Sequence, residues 1–221
     1  MSSLAELWPP FALTLTTPRL TLRPIRDEDI PAVVAAALSG IHPAGVMPVS
    51  HPWTEASPEE IPANSARHIW ATRAESTKDK WSLQLGVWQG EELIGCQDIG
   101  ATGFADLKTV SSGSWLRQSA QGQGLGKEMR AAVLIYAFDW LMAEVAESEA
   151  AAWNQASLGV SRSLGYELNG IFRHAWKPNE MTEVQQVRVT PETLKRPDWT
   201  LLVEGSDATA RHLGIERHRT Q

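Results

Sequence analysis

The chain has 221 residues, 43% hydrophobic and 21% charged, the make-up of one globular domain rather than of a disordered or membrane-embedded protein. Twenty Lys and Arg against 26 Asp and Glu leave a net charge of −6, which excludes a general nucleic-acid binder because no basic surplus exists to replace phosphate counterions. One cysteine, Cys96, excludes an internal disulfide framework and any multi-cysteine metal or cluster site.

Residues 1–16 are Pro-rich and read as irregular, with no basic, apolar leader at the start. Leu20 and Leu22 alternate with Thr21 and Arg23, which predicts a strand over Arg19–Pro24. Asp27 is placed to cap a helix whose apolar positions are Ile30, Val33, Val34, Ala37 and Leu38. The stretch Ser39–Pro58 holds Pro43, Pro48, Pro52 and Pro58 and is long for a loop, which itself hints at function. Ser57-Pro58-Glu59-Glu60 forms a capping box that opens a second helix running to about Glu75.

Trp81, Leu83, Leu85 and Val87 alternate with small and polar residues, and Leu93–Ile99 returns as the other arm of a hairpin. Thr109–Leu116 is a further strand. A long helix follows the glycines at 122, 124 and 126, apolar on nearly every side and therefore buried. Its Ala131–Phe138 is the longest apolar run, far short of the roughly 20 residues that span a bilayer, so no membrane partner is expected and the location is read as cytoplasmic. Ala150–Trp153 reads as a short strand, Asn154–Leu164 as a helix stopped by Gly165, and Ile171–Trp176 and Val184–Val189 as two closing strands. The order β-α-α-β-β-β-α-β-α-β-β predicts a single α/β domain with a mixed central sheet flanked by helices. The region 191–221 is an extension whose polar end, 205–221, reads as frayed.

The glycine cluster Gln121-Gly122-Gln123-Gly124-Leu125-Gly126-Lys127 lies between a strand and a long helix. Missing side chains let backbone N–H groups approach a ligand, and the helix N-terminus adds partial positive charge, so this is an anion cradle. It is not a P-loop: three residues separate Gly122 from Gly126 where four are needed, and Glu128 follows Lys127 instead of Ser or Thr. Nor is it a dinucleotide fingerprint, because Lys127 stands where the third glycine belongs.

The pattern Gln-x-x-Gly-x-Gly at a helix start resembles the GNAT superfamily of acyl-CoA-dependent N-acyltransferases, over about residues 17–190. Thr17-Pro18-Arg19-Leu20-x-Leu22-Arg23, Gly113-Ser114-Trp115-Leu116, Glu128, and Asn154-x-x-Ser157 followed by Leu164-Gly165-Tyr166 are similar to its RimJ/RimL branch. The loop His51-Pro52-Trp53-Thr54 is similar to an actinobacterial subgroup for which succinyl-CoA has been suggested as donor. The resemblance implies an acyl-CoA cosubstrate, acetyl-CoA first and succinyl-CoA as the alternative, and a small-molecule or peptide amine acceptor. It implies that Trp115, Leu116 and Arg117 offer backbone groups to pantetheine. Gln121, Gly122, Gln123, Gly124, Leu125, Gly126 and Lys127 would hold the pyrophosphate, and Asn154 and Ser157 the pantetheine arm.

Ser161, seven residues after Asn154, stands where the family places its proton donor to the departing thiolate. For the base, relatives often carry a glutamate on the strand at 109–116, where this chain has Ser111 and Ser112, so His42 and Asp98 are the candidates and a water wire is the alternative. Glu128 is read as helix support and Cys96 as a packed thiol. His51 and Trp53 are expected to line the acceptor side. The six histidines show no paired ligand spacing, so no metal is expected. Ten tryptophans point to core filling and a homo-oligomer interface. A non-catalytic acyl-CoA sensor on the same fold is the competing reading.

Overall fold

The computed structural model describes residues 3–43, 53–177 and 180–216. Nine strands form one mixed sheet: β1 (Thr14–Thr16), β2 (Thr21–Pro24), β3 (Lys80–Gln89), β4 (Glu92–Thr102), β5 (Thr109–Leu116), β6 (Val145–Ala151), β7 (Glu167–Lys177), β8 (Glu180–Val189) and β9 (Leu202–Glu204). Their spatial order is β7-β8-β6-β5-β4-β3-β2-β1-β9. Seven helices join them: α1 (Leu4–Leu7), α2 (Ile30–Leu38), α3 (Ile61–Ala74), α4 (Phe104–Leu107), α5 (Leu125–Asp139), α6 (Gln155–Ser163) and α7 (Ser206–His212).

The period-2 pattern of β3 decides the layering. Trp81, Leu83, Leu85 and Val87 bury one face of the sheet in a core shared with α5, where Ala132, Val133, Tyr136 and Ala137 have no exposed surface. The alternate residues Ser82, Gln84, Gly86 and Trp88 face α2 and α3 across a smaller cluster of Ile25, Val33, Ile69, Leu93 and Cys96. The result is the expected α/β arrangement of helices on both sides of a mixed sheet. No helix among the described residues is long and apolar enough to cross a membrane.

Besides α3 starting at Ile61, with Glu60 at its N-cap and not the Ser57 capping box at its head, four features differ from the sequence reading. First, Asp27 does not cap α2: Asp27–Asp29 form a 3-10 turn, and Asp29 takes the Arg26 N–H at 2.8 Å while Arg23 clamps both its oxygens at 2.6 and 2.8 Å. Second, β6 begins at Val145, five residues earlier than read. Its outward Glu147 and Glu149 hid the alternation with inward Ala146 and Ser148. Third, residues 3–16 of the segment read as irregular are ordered, since Leu13 and Leu15 are fully buried and β1 pairs with both β2 and β9; residues 1 and 2 lie outside the described residues. Fourth, residues 205–216 are not frayed: α7 and its exit bury Thr209, Ala210, Leu213 and Ile215, apolar contacts too sparsely spaced to stand out in a polar segment.

The last stretch is also tied to α6. Lys195 N–H reaches Leu164 O at 3.0 Å, and Gly165 ends the helix at φ +90° with Thr193 O only 2.0 Å from where a Cβ would stand. Gly165→Ala is therefore expected to lower the unfolding free energy by about 2–3 kcal/mol, read as a lower denaturation midpoint at unchanged slope.

Candidate active site

β5 and β6 run parallel for only three pairs, Thr109↔Val145 to Ser111↔Glu147. Beyond them β5 follows β4 as far as Gly95↔Leu116, while β6 follows β8 as far as Ala151↔Val184. The two strands fork, and one backbone edge of each is left facing the gap. The N–H of Arg117 donates across to Ile94 O at 2.9 Å. By strand alternation the backbone groups of Trp115 and Gly113 also face β4, and those of Leu116 and Ser114 face the gap. Of the three residues expected to pair with pantetheine, only Leu116 thus presents its N–H to the opening. Arg117 spends its guanidinium on Glu92 as well, and the Trp115 ring packs 5.7 Å from Trp53 on the opposite face.

The wide end of the fork carries the glycine loop. Gly122 and Gly124 adopt φ of +73° and +78°, and a Cβ at Gly122 would meet nothing within 4 Å. The backbone N–H groups from Gly122 to Lys127 find no acceptor among the described residues, and they sit at the first turn of α5. This is the chemistry of an anion cradle, and a pyrophosphate fits it. Gln121 plays a different part: its amide donates to Leu116 O at 2.8 Å and to Ile41 O at 2.6 Å, riveting the loop to the strand end. Gln123 likewise turns its amide inward to Ser119 O. Leu125 is buried beneath the loop and Lys127 is exposed beside it.

Below the loop lies a contact that the sequence showed only in pieces. Glu128 is buried and accepts from the Thr17 hydroxyl at 2.6 Å, the Arg19 N–H at 3.0 Å and the Arg19 guanidinium at 2.6 Å. Arg19 also reaches Gln123 O at 3.0 Å, so the opening Thr17-x-Arg19 braces the cradle. Both ends of this brace were visible as separate motifs, 109 residues apart, with nothing local to join them.

α6 flanks the fork. Gly126 sits within 3.8–3.9 Å, measured from an added Cβ, of Leu116 and Val160. Asn154 caps the helix, its side chain accepting the Ser157 N–H at 3.1 Å. Ser161 is buried at 3% exposure and donates to Ser157 O at 3.2 Å.

On the other face of the sheet, between α3 and strands β3–β5, opens a cleft of about 420 Å³ lined by His68, Glu75, Gln84, Asp98, Ser111 and Gly113, among others. Burial pushes the Asp98 carboxyl up to about 7, with Arg130 pulling the other way. His68 and Gln84, which the sequence did not single out, meet at 2.7 Å on its wall. His42 is not part of this cleft: its Nδ1 faces Pro43 O at 3.0 Å, so its Nε2 accepts from Thr54 at 2.7 Å. Trp53 packs with Ile41 and Ile61 near the same end of the sheet, and His51 lies outside the described residues. Burial raises the Cys96 thiol far above its usual range, as a packed thiol requires. Among the described residues no three His, Cys, Asp or Glu are grouped to hold a metal.

A forked sheet with an anion cradle at its mouth and a polar cleft across the strand is the architecture of an enzyme joining an extended, phosphorylated donor to a second substrate. Residues 19–167 match the family model described as Acetyltransferase (GNAT) domain, and the chain belongs to that family. Its fold is similar to that of Mycobacterium smegmatis RimJ in complex with CoA-disulfide (TM-score 0.67, 18% identity, covering 93% of this chain and 96% of that one). It is also similar to RimL, a ribosomal L7/L12 alpha-N-protein acetyltransferase in complex with coenzyme A (TM-score 0.61, 19% identity, 79% and 95% covered). A third similar structure is the Salmonella typhimurium acetyl transferase that modifies the N-terminal serine of ribosomal protein L7/L12 (TM-score 0.62, 20% identity, 79% and 96% covered). At such identities the likeness is one of fold.

A side chain at Gly126 would enter the space between Leu116 and Val160. Gly126→Leu is expected to weaken coenzyme A binding at least about tenfold, by calorimetry, while the melting temperature holds or rises because a helical glycine has been replaced.

Proposed function

We propose that the enzyme transfers an acetyl group from acetyl-CoA to a primary amine by direct attack of the amine in a ternary complex. The observation that carries this reading is the fork of β5 and β6 with the N–H groups of the glycine loop, free among the described residues, at its mouth, next to a cleft lined by Asp98, whose carboxyl burial raises to about 7. That value suits a general base near neutral pH, and the carboxylates of Asp98 and Glu75, which outnumber the one cation of the lining, Lys80, suit a cationic amine. Both ring nitrogens of His42 are engaged, which favours Asp98 over it.

The bound donor supplies a thioester whose carbonyl carbon accepts the amine and whose sulfur leaves. The chain supplies the rest. The N–H groups of Gly122–Lys127 hold the pyrophosphate, and Arg19, braced by Glu128, fixes the loop that presents them. The Leu116 N–H faces the gap and donates to the carbonyl oxygen as charge develops there. Asn154 and Ser157 border the pantetheine arm. Asp98 removes the ammonium proton before attack; as the tetrahedral intermediate collapses, Ser161 gives a proton to the thiolate by switching its hydroxyl from Ser157 O, and the proton that the new amide nitrogen sheds restores the serine through water. His51 and Trp53 belong to the acceptor side in this reading, and the acceptor is a small molecule or the amine of a peptide.

Asp98 gives the test. Its folded value lies above the ordinary carboxylate range, so its base form, and with it kcat/KM, is expected to rise with pH through about 7 and to level above it. The same shift makes the ionised form a cost, so native stability falls as pH rises through that value. Asp98→Asn is expected to lose about 10²–10⁴-fold in turnover with coenzyme A affinity intact. At pH 8 it should melt above the wild type, since the amide carries no charge to bury. Full activity in Asp98→Asn over an amine panel would remove Asp98 as base.

Donor choice is read separately, from melting shifts with free CoA, acetyl-CoA and succinyl-CoA. At 100 times its dissociation constant a ligand stabilises by roughly 2.7 kcal/mol. Equal shifts with CoA and acetyl-CoA, and turnover of acetyl-CoA only, are the expected result. A larger shift and turnover with succinyl-CoA would name that donor instead, and binding with no turnover of any amine would make the protein a sensor.

A further inference from the structure

α5 is apolar around nearly its whole circumference, yet Arg130 stands in the middle of it at 4% exposure. A buried guanidinium normally faces a carboxylate, because an uncompensated charge in the interior is costly. Arg130 has no ion pair among the described residues. It donates instead to two neutral hydroxyls on the two arms of the fork: Ser148 on β6 at 3.1 Å and Ser114 on β5 at 3.2 Å. Ser148 in turn donates to Ser112 O at 2.9 Å, closing the vertex between the strands. Nε of Arg130 and Oε1 of the fully buried Gln97 have no partner among the described residues.

The residue flanked by Ser112 and Ser114 is Gly113, and Gly113 is the register partner of Asp98 on β4. Strand alternation puts Ser112, Ser114 and Arg130 on the α5 side and Asp98 on the α3 side. A Cβ added at Gly113 would lie 3.9 Å from Asp98 Oδ2, so no side chain intervenes on the cleft side. The other charged or titratable groups facing the cleft are His68 on α3, Glu75 just past its end and Lys80 on β3, all at or near solvent, and the buried Cys96 thiol beside Asp98 on β4 stays neutral because burial raises it far above its usual range. Among these and Arg130, the charged group that is both buried and fixed by its hydrogen bonds is Arg130.

We propose that Arg130 is a positioning residue for the acyl transfer: bridging the two arms of the fork through Ser114 and Ser148, it holds a fixed positive charge on the opposite side of Gly113 from Asp98. This rests on Asp98 being the base. Burial raises that carboxyl, and the Arg130 charge acts against the rise and favours the ionised base. The neutral hydroxyl partners matter to this role, because a carboxylate on Arg130 would cancel the field that Asp98 feels.

The experiment is the pH dependence of kcat/KM for a standard amine with saturating acetyl-CoA. Arg130→Met keeps the bulk and removes the charge. Its acid limb is expected to move up by about one pH unit, with turnover recovering toward the wild-type value at pH 9 and coenzyme A affinity within about threefold. Arg130→Lys, which keeps the charge, should leave the limb near its wild-type place. If Arg130→Met fails to fold, Ser114→Asp neutralises the guanidinium from β5, and the same upward displacement is expected. A limb that stays put in the variants, with turnover or affinity lowered equally at every pH, would overturn the inference and leave Arg130 as a structural strut. If Asp98→Asn itself retains the wild-type limb and rate, it is the base assignment that has failed, and the two outcomes are thereby told apart.

Discussion

Everything distinctive in this molecule follows from two strands that stop pairing. Backbone N–H and C=O groups withdrawn from a ladder must find other partners. After Ser111↔Glu147 the facing edges of β5 and β6 do so only in part. Ser148 takes the Ser112 carbonyl at the vertex and Gln121 takes the Leu116 carbonyl at the mouth, each a side chain standing in for a lost strand. Between them the Leu116 N–H and the Ser114 backbone groups face an open seam. A ligand that can hydrogen-bond along its length completes the sheet, which is why a flexible amide-containing chain such as pantetheine suits the gap.

On the proposed reading, the electrostatics answer how an acidic protein would hold a polyanion. No basic surface is involved. The cradle relies on oriented N–H dipoles at one helix end, and the single carboxylate in that turn, Glu128, is cancelled by Arg19 before it can repel a phosphate. The fork repeats the theme with opposite sign, where Arg130 sits among serines in place of acids. Charge is thus placed singly, in dry positions, where one group counts for more than many on the surface would.

The parts legible in the sequence were those with a local signature. The glycine loop, α5, the β3–β4 hairpin and the Gly165 stop each carry their information within about a dozen residues, and Asp98 stood out as an acid on an otherwise apolar hairpin arm. What stayed hidden needed distant partners. β1 is three residues long and becomes a strand only because β2 and β9 lie on either side of it. Gln121 looked like a ligand and is a rivet, since nothing local says that Ile41 O and Leu116 O await its amide. Arg117 followed a strand end in the expected way, but its N–H direction depends on register, which the alternation alone does not set. His68 and Gln84 meet across a helix and a strand. Arg130 did leave a trace, a lone charge in the run Met129-Arg130-Ala131-Ala132-Val133.

The pairing of β1 with β9 has a consequence in time. Leu15 finds its partner Val203 only after almost the whole chain has been made. Until then β1 can rest on β2 alone, and Leu13 and Leu15 lack part of the cover that buries them completely in the finished fold. Closing so long a loop is slow compared with forming the β3–β4 hairpin. The β3–β4 hairpin can therefore form early and locally, while the far edge waits for the last strand as a zip waits for its final tooth. A nascent or truncated chain that lacks β9 offers that edge to whatever strand it meets first.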